Sequence, residues 1–297
     1  GAITAGGTLG VLIPPSILLV VLGPVMGVSI AKLFAATIIP GLLISGLFTA
    51  YVMIRSYLNP SLGPALPKSQ HPTDYKAAFR EFAVGMFPLL ALIAASLGSI
   101  LGGIATPTEG AGMGAAGALI LALAYGRLKS KNLRIALFKS VLVTSMIMLL
   151  LVASNMYGAV FNRVGTGPLI ADTLVALDLS PNGVLFALMA IIFLLGWPLE
   201  WAPIIFIFLP IFLPVITDAG LDLLWVATLV AVNLQTAFLS PPVAMAAYYL
   251  KAVVPEWSLV QIYSGMFQFV GLQVVALLLV IMFPQLALWL PEQLFGN

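Results

Sequence analysis

Cysteine is absent from this chain, histidine occurs once, and charged residues make up only 7% of its 297 residues. Without cysteine there is no disulfide and no thiolate metal site, although compartment is left open. The single histidine, His71, lies in a polar stretch, where a solvated ring is expected rather than a ligand. No GxxxxGK[ST] phosphate loop, HExxH pair or serine–histidine pairing can be drawn from these residues. An enzyme is therefore not expected, nor is energising by ATP within this chain. A net charge of +2 is too small to argue for nucleic acid. The opening "GAITAGGTLG" has neither a basic n-region nor a cleavage site, so it is no signal peptide.

What remains is apolar. Hydrophobic residues reach 62% and mean hydropathy +1.15, against about 45–50% apolar and about 25% charged in a typical soluble domain. A soluble core of this length would need charged faces that the chain lacks. The composition describes an all-α polytopic membrane protein. With about 20 apolar residues per helix, spans are expected near 1–27 (broken), 30–55, 82–101, 104–126, 137–160, 223–252 (broken) and 259–290.

Two basic stretches set orientation, because cytoplasmic loops carry the Lys/Arg excess. Arg55, Lys68, Lys76 and Arg80 mark the loop 59–81; Arg127, Lys129, Lys131 and Arg134 mark "RLKSKNLR". The segment between them must cross an even number of times. A modest amphipathic helix is expected over 164–180, with Asp172 and Asp178, near an interface. Beyond it, Asn182–Leu195 and Ile204–Ile216 flank "GWPLEWAP". Such short runs read as a re-entrant hairpin over 182–218, or as one long span kinked by proline.

Two prolyl pairs interrupt apolar sequence at "GTLGVLIPPSI" (Gly7–Ile17) and "TAFLSPPVA" (Thr236–Ala244). They align: Gly10 with Ala237, Ile13 with Ser240, Pro14 with Pro241, Pro15 with Pro242, Ser16 with Val243. Proline lacks an N–H and pushes the preceding residue out of the α region, so each pair should unwind about one turn. In lipid, unwound backbone is tolerated only where it is buried in protein or lines a cavity. Paired broken helices in corresponding halves point to a secondary transporter's binding site; the plain alternative is a pair of proline kinks. The second pair follows a hairpin, so the repeat implies a first hairpin before Gly1 and a chain that begins inside its first repeat.

"AGGTLGVLIPPSI" (Ala5–Ile17), "GGIATPTEGAGMGA" (Gly102–Ala115), "GWPLEWAPIIFIFLPIFLP" (Gly196–Pro214) and "NLQTAFLSPPVA" (Asn233–Ala244) stand in this order along the chain. Together they resemble the large membrane subunit of TRAP (tripartite ATP-independent periplasmic) transporters, over essentially the whole chain and as its C-terminal part. The resemblance implies an elevator fold of the ion-transporter type, with inverted repeats, unwound helices and a re-entrant hairpin. It divides the chain into the end of a first repeat (1–58), a cytoplasmic linker (59–81), scaffold-type helices with an interfacial arm (82–180) and a second repeat (181–297). It also implies Na⁺-coupled import of small carboxylates across the bacterial inner membrane. The partners would be a periplasmic binding protein and a small membrane subunit, with membrane lipid around the spans.

Carried over by motif, a first sodium site takes Gly10, Ile13 and Pro15, with its hairpin serines before Gly1. A second takes Gly196, Ala237, Ser240 and Val243. Ser16, Pro241, Pro242 and Glu200 are implied near the substrate. Ala237, Ser240 and Glu200 depart from the family's usual Gly, Thr and Asp. Serine keeps the hydroxyl, alanine loses glycine's free dihedrals, and Glu200 keeps the charge but not its reach.

Glu200 either serves the site directly or caps a half-helix. Glu109, after "ATPT", reads as a capping residue more than a functional acid. Trp197 and Trp201 fit packing as readily as substrate contact. Two other transport classes share parts of this pattern: an ion channel with re-entrant segments, and a divalent-anion/sodium symporter that works without a binding protein.

Overall fold

The protein, seen as a computed structural model, is described over residues 1–64, 67, 74–166, 169, 173 and 179–296. Lys68, His71, Asp172 and Asp178, with most of the expected interfacial helix, lie outside the described residues. Among the described residues every regular element is helical. In chain order these are α1 (Ala2–Leu12), α2 (Ile17–Met26), α3 (Ile30–Leu58), α4 (Tyr75–Leu101), α5 (Pro107–Ala124) and α6 (Ser130–Arg163). After them come α7 (Pro181–Leu195), α8 (Trp201–Asp218), α9 (Leu223–Leu234), α10 (Met245–Val253), α11 (Leu259–Met282) and α12 (Gln285–Phe295).

Helices α3, α4, α6, α8 and α11 are long and apolar enough to cross a membrane, and α1 with α2, bent by 47° at their break, would make a sixth crossing. Helix α5 has the length at 18 residues but is not in that set, its polar start Pro107–Glu109 and its glycines lowering its mean hydropathy. Several boundaries differ from the sequence expectation. Helix α4 starts at Tyr75 because Asp74 caps it, accepting from the N–H groups of Lys76 and Ala77 at 2.8 and 3.2 Å. Helix α6 starts at Ser130, which moves Lys131 and Arg134 from a loop onto its first two turns. The expected span 259–290 is two helices: Phe283, ahead of Pro284, adopts φ −126° and ψ 78°, outside the helical region.

The chain forms two compact units, Gly1–Phe48 with Thr144–Asn297, and Thr49–Val143. In the first, α9 is the central element. It packs against α2, α7, α11 and α12, and every residue from Trp225 to Leu234 is buried. Helix α1 lies against α10, α11 and the 3₁₀ turn Gln235–Phe238. The indole N–H of Trp225 donates to the Val280 carbonyl at 3.1 Å, and Phe48 meets Phe269 edge-on at 5.1 Å.

In the second unit α4 and α5 run antiparallel, contacts pairing Leu92 with Gly117 and Ser96 with Gly110. Glycine at 110 suits this approach, since a Cβ there would fall 2.5 Å from Ile100 Cγ1 and 3.3 Å from the Ser96 carbonyl; at 117 a Cβ would displace only the tip of Leu92. Thr106 and Glu109 form a capping box at the start of α5, with the Thr106 N–H donating to the Glu109 carboxylate at 2.8 Å.

Candidate functional site: two helix breaks and a hairpin turn

The first break is four residues long, Ile13–Ser16, between α1 and α2. Ile13 (φ −76°, ψ 126°) is extended, as a residue before proline should be, and Ser16 (φ −132°, ψ 131°) is extended as the N-cap of α2. The second break is wider. Helix α9 tightens into the 3₁₀ turn Gln235–Phe238, then runs irregularly from Leu239 to Ala244 before α10. Ala244 closes it at φ 20°, ψ 59°. The Pro14–Pro15 and Pro241–Pro242 peptide bonds are both cis.

Each break carries one hydroxyl, and the two are used differently. At the first, Ser16 lies after the prolines and donates to the Val11 carbonyl, one of the acceptors that the break releases. At the second, Ser240 lies before the prolines, is fully buried, and its hydroxyl has no partner among the described residues. There the Pro242 carbonyl is served instead by the hydroxyl of Tyr248, at 3.2 Å.

The hairpin turn reaches the second break. Helices α7 and α8 lie against each other, so the chain reverses across Gly196–Glu200. Gly196 is buried, and a Cβ built on it would meet the Cβ of Ala237 at 3.2 Å. Asn233 ties α9 to the same hairpin by donating to the Met189 carbonyl at 2.7 Å. Gly196, Ala237 and Ser240 are thus buried at and beside one junction, with Val243 half-buried further along the break. Glu200 is exposed at the N-cap of α8 and makes no capping bond. Trp197 packs edge-on against Phe193 at 6.1 Å.

Around the first break the picture is more open. Gly10 is exposed with nothing within 4 Å of a would-be Cβ, Pro15 is exposed, and Ile13 is half-buried. Ile13 rests on Gly41 of α3, where a Cβ would lie 2.6 Å from its Cγ1. Pro241 is half-buried and Pro242 exposed.

Sequence reasoning passed over three buried amides. Asn233 Oδ1, both ends of Gln235, and Gln273 Oε1 are buried without partners among the described residues. The Gln273 Nε2 donates to Thr8 Oγ1 at 3.4 Å, linking α11 to α1 just ahead of the first break. An amide isolated in an apolar run was the available signal, since such groups are costly to bury unpaired. Helix α8 also holds a π-helical stretch, Ile204–Phe208, in which the Leu209 N–H reaches back five residues to Ile204. Pro210, lacking an N–H, follows directly, and re-registering of this kind recurs at functional sites.

Among the described residues no three His, Cys, Asp or Glu side chains gather to hold a metal. A cation here would be met by hydroxyl, amide and backbone oxygens. A groove of about 380 Å³ between α1 and α10, bounded by Thr4, Gly7, Val11, Met245 and Tyr249, is almost wholly apolar. It suits hydrocarbon, not an ion or a carboxylate.

Residues 1–286 match the family described as the tripartite ATP-independent periplasmic transporter, DctM component. The chain belongs to that family. Among its relatives is the sialic acid TRAP transporter permease protein SiaT of Haemophilus influenzae, 30% identical over 99% of this chain and 47% of the relative. The C4-dicarboxylate TRAP transporter large permease protein DctM of Pseudomonas aeruginosa is 30% identical over 85% of this chain and 58% of its own length. The sialic acid large permease protein SiaM of Vibrio cholerae is 28% identical over 100% and 68%. The chain therefore spans about half the length of the first two. Its membership in the DctM family makes it part of a transport permease, not an enzyme.

Proposed function

We propose that this chain forms part of a Na⁺-coupled permease that imports small carboxylates across the bacterial inner membrane. A periplasmic binding protein would deliver the substrate, and a small membrane subunit would accompany the permease. Family membership supports this reading, as do relatives named for sialic acid and C4-dicarboxylates. The observation that carries the ion assignment is the unpartnered, fully buried hydroxyl of Ser240 beside the Gly196–Ala237 contact. A buried oxygen without a donor costs free energy unless a ligand meets it. Na⁺, an oxygen-seeking cation held by unwound backbone in carriers of this type, fits that donor set.

In this reading Ser240 supplies a side-chain oxygen, while Gly196, Ala237 and Val243 supply backbone. Gly10, Ile13 and Pro15 do the same for a first site. The positive N-terminal ends of α2 and α10 face toward the substrate carboxylate beside Ser16, Pro241 and Pro242, and Glu200 biases cations toward the turn. The α7–α8 hairpin and the broken helices then move together as the transport domain of an elevator.

The test is thermal stability of the purified full-length protein, titrated with NaCl against KCl at constant ionic strength. A ligand that binds only the folded state raises stability by RT ln(1 + [L]/Kd). A saturable rise specific to Na⁺ is expected; identical curves in the two salts would remove Na⁺ from the mechanism. Saturable, gradient-driven uptake separates such a carrier from a channel.

A further inference from the structure

One end of the second unit is strongly positive. The antiparallel packing of α4 and α5, with the Tyr125 hydroxyl donating to the Val84 carbonyl at 3.0 Å, brings the start of α4 beside the end of α5. Helix α6 begins at Ser130, a few residues further along the chain, so its first turns stand at the same end. Lys76, Arg80, Arg127, Lys129, Lys131 and Arg134 all lie there, exposed. Among the described residues of this unit, the carboxylates at that end of α4 are Asp74 and Glu81. Asp74 is committed to capping α4. None of the six cations is paired with a carboxylate among the described residues.

Beside this charge, α6 carries a shallow groove of about 440 Å³ lined by Ser130, Leu133, Arg134, Leu137, Phe138 and Val141. Arg134, Phe138 and Val141 follow the i, i+4, i+7 spacing of one helix face, with the cation nearest the loop. Leu137 and Phe138 are 59% and 69% exposed. The face is cationic at one end and hydrocarbon along the rest.

We propose that this surface binds an anionic phospholipid. The phosphate sits among Arg127, Lys131 and Arg134, and the acyl chains lie along Leu137, Phe138 and Val141. The assignment rests on reading α6 as a membrane span. Charge complementarity selects the headgroup, since a basic cluster directly beside a span recognises acidic lipid. The apolar stripe selects lipid over a free anion, which would leave it uncovered.

Native mass spectrometry of the full-length protein released from detergent tests this. Phosphatidylglycerol is titrated against phosphatidylcholine of the same chain length, with inorganic phosphate as a third arm. Phosphatidylglycerol should be retained in preference. At roughly fivefold per cation near a charged surface, the double variant K131Q/R134Q should weaken retention about 25-fold. Equal retention of the two lipids would overturn the proposal, as would full displacement by phosphate at equal concentration. Failure to retain either lipid would overturn it too, leaving the face to a protein partner. The wild-type comparison decides between the lipids without any variant, and none of these readouts depends on uptake.

Discussion

A methyl group built on Gly196 would stand 3.2 Å from the Cβ of Ala237, so the hairpin turn and the second helix break touch closely enough that one more carbon requires a neighbour to give by a few tenths of an ångström. Gly196 sits at φ −63° and ψ −16°, where any residue is comfortable. Its missing side chain therefore serves the approach and not the backbone.

Gly196→Ala is accordingly expected to destabilise the protein by about 1–3 kcal/mol through overpacking. Ala237→Gly in the same chain should recover much of that loss. A double-mutant cycle on chemical unfolding in detergent would show coupling of about 0.5–3 kcal/mol. Strict additivity would mean that the two residues do not bear on each other.

Ser240→Ala removes a hydroxyl that has no partner to lose. Stability in KCl should therefore not fall, and should rise by up to about 1–3 kcal/mol as an unsatisfied buried group is removed. The Na⁺-specific increment should shrink, because an oxygen that only the ion would use is gone. Melting curves of the variant in the two salts check both halves. An unchanged increment would take Ser240 out of the site.

Gly41→Ala forces a Cβ to within 2.6 Å of Ile13 Cγ1, closer than real contacts allow. The expected cost is about 1–3 kcal/mol, and Ile13→Ala, which removes the Cγ1 in the way, should partly restore it. Because Ile13 opens the first break, the same variant should alter transport more than an equally destabilising change in α12. Parallel uptake and unfolding measurements on both variants would tell.

The prolyl pairs, the turn near Gly196 and the cap at Thr106 were legible because each is a local event, whereas the cap at Asp74 lay hidden in a stretch read as polar loop. A missing N–H, an extended residue before proline, or a side chain reaching the next turn needs no distant partner. Gly41 was not legible, since nothing within a few residues of it says that Ile13 will rest there. Nor were the unpartnered ends of Gln235 and Gln273, which depend on which helices surround them. The early start of α6 was missed for a different reason: Lys131 and Arg134 read as loop by charge, while the backbone runs helical beneath them. The end of α11 at Met282 was signalled by Pro284 and lost within a long apolar run.

The central helix carries a consequence for how the protein is made. With α9 and its 3₁₀ turn together only 16 residues long, Leu223–Phe238 rises about 26 Å, short of the roughly 30 Å hydrocarbon layer. Helix α7, at 15 residues, is shorter still. Neither matches the slab that a nascent segment must cross by itself, and α9 keeps no face for lipid once folded. Their place in the bilayer is secured by neighbours, several of which emerge from the ribosome later. The permease's most enclosed helix is thus among the last to settle.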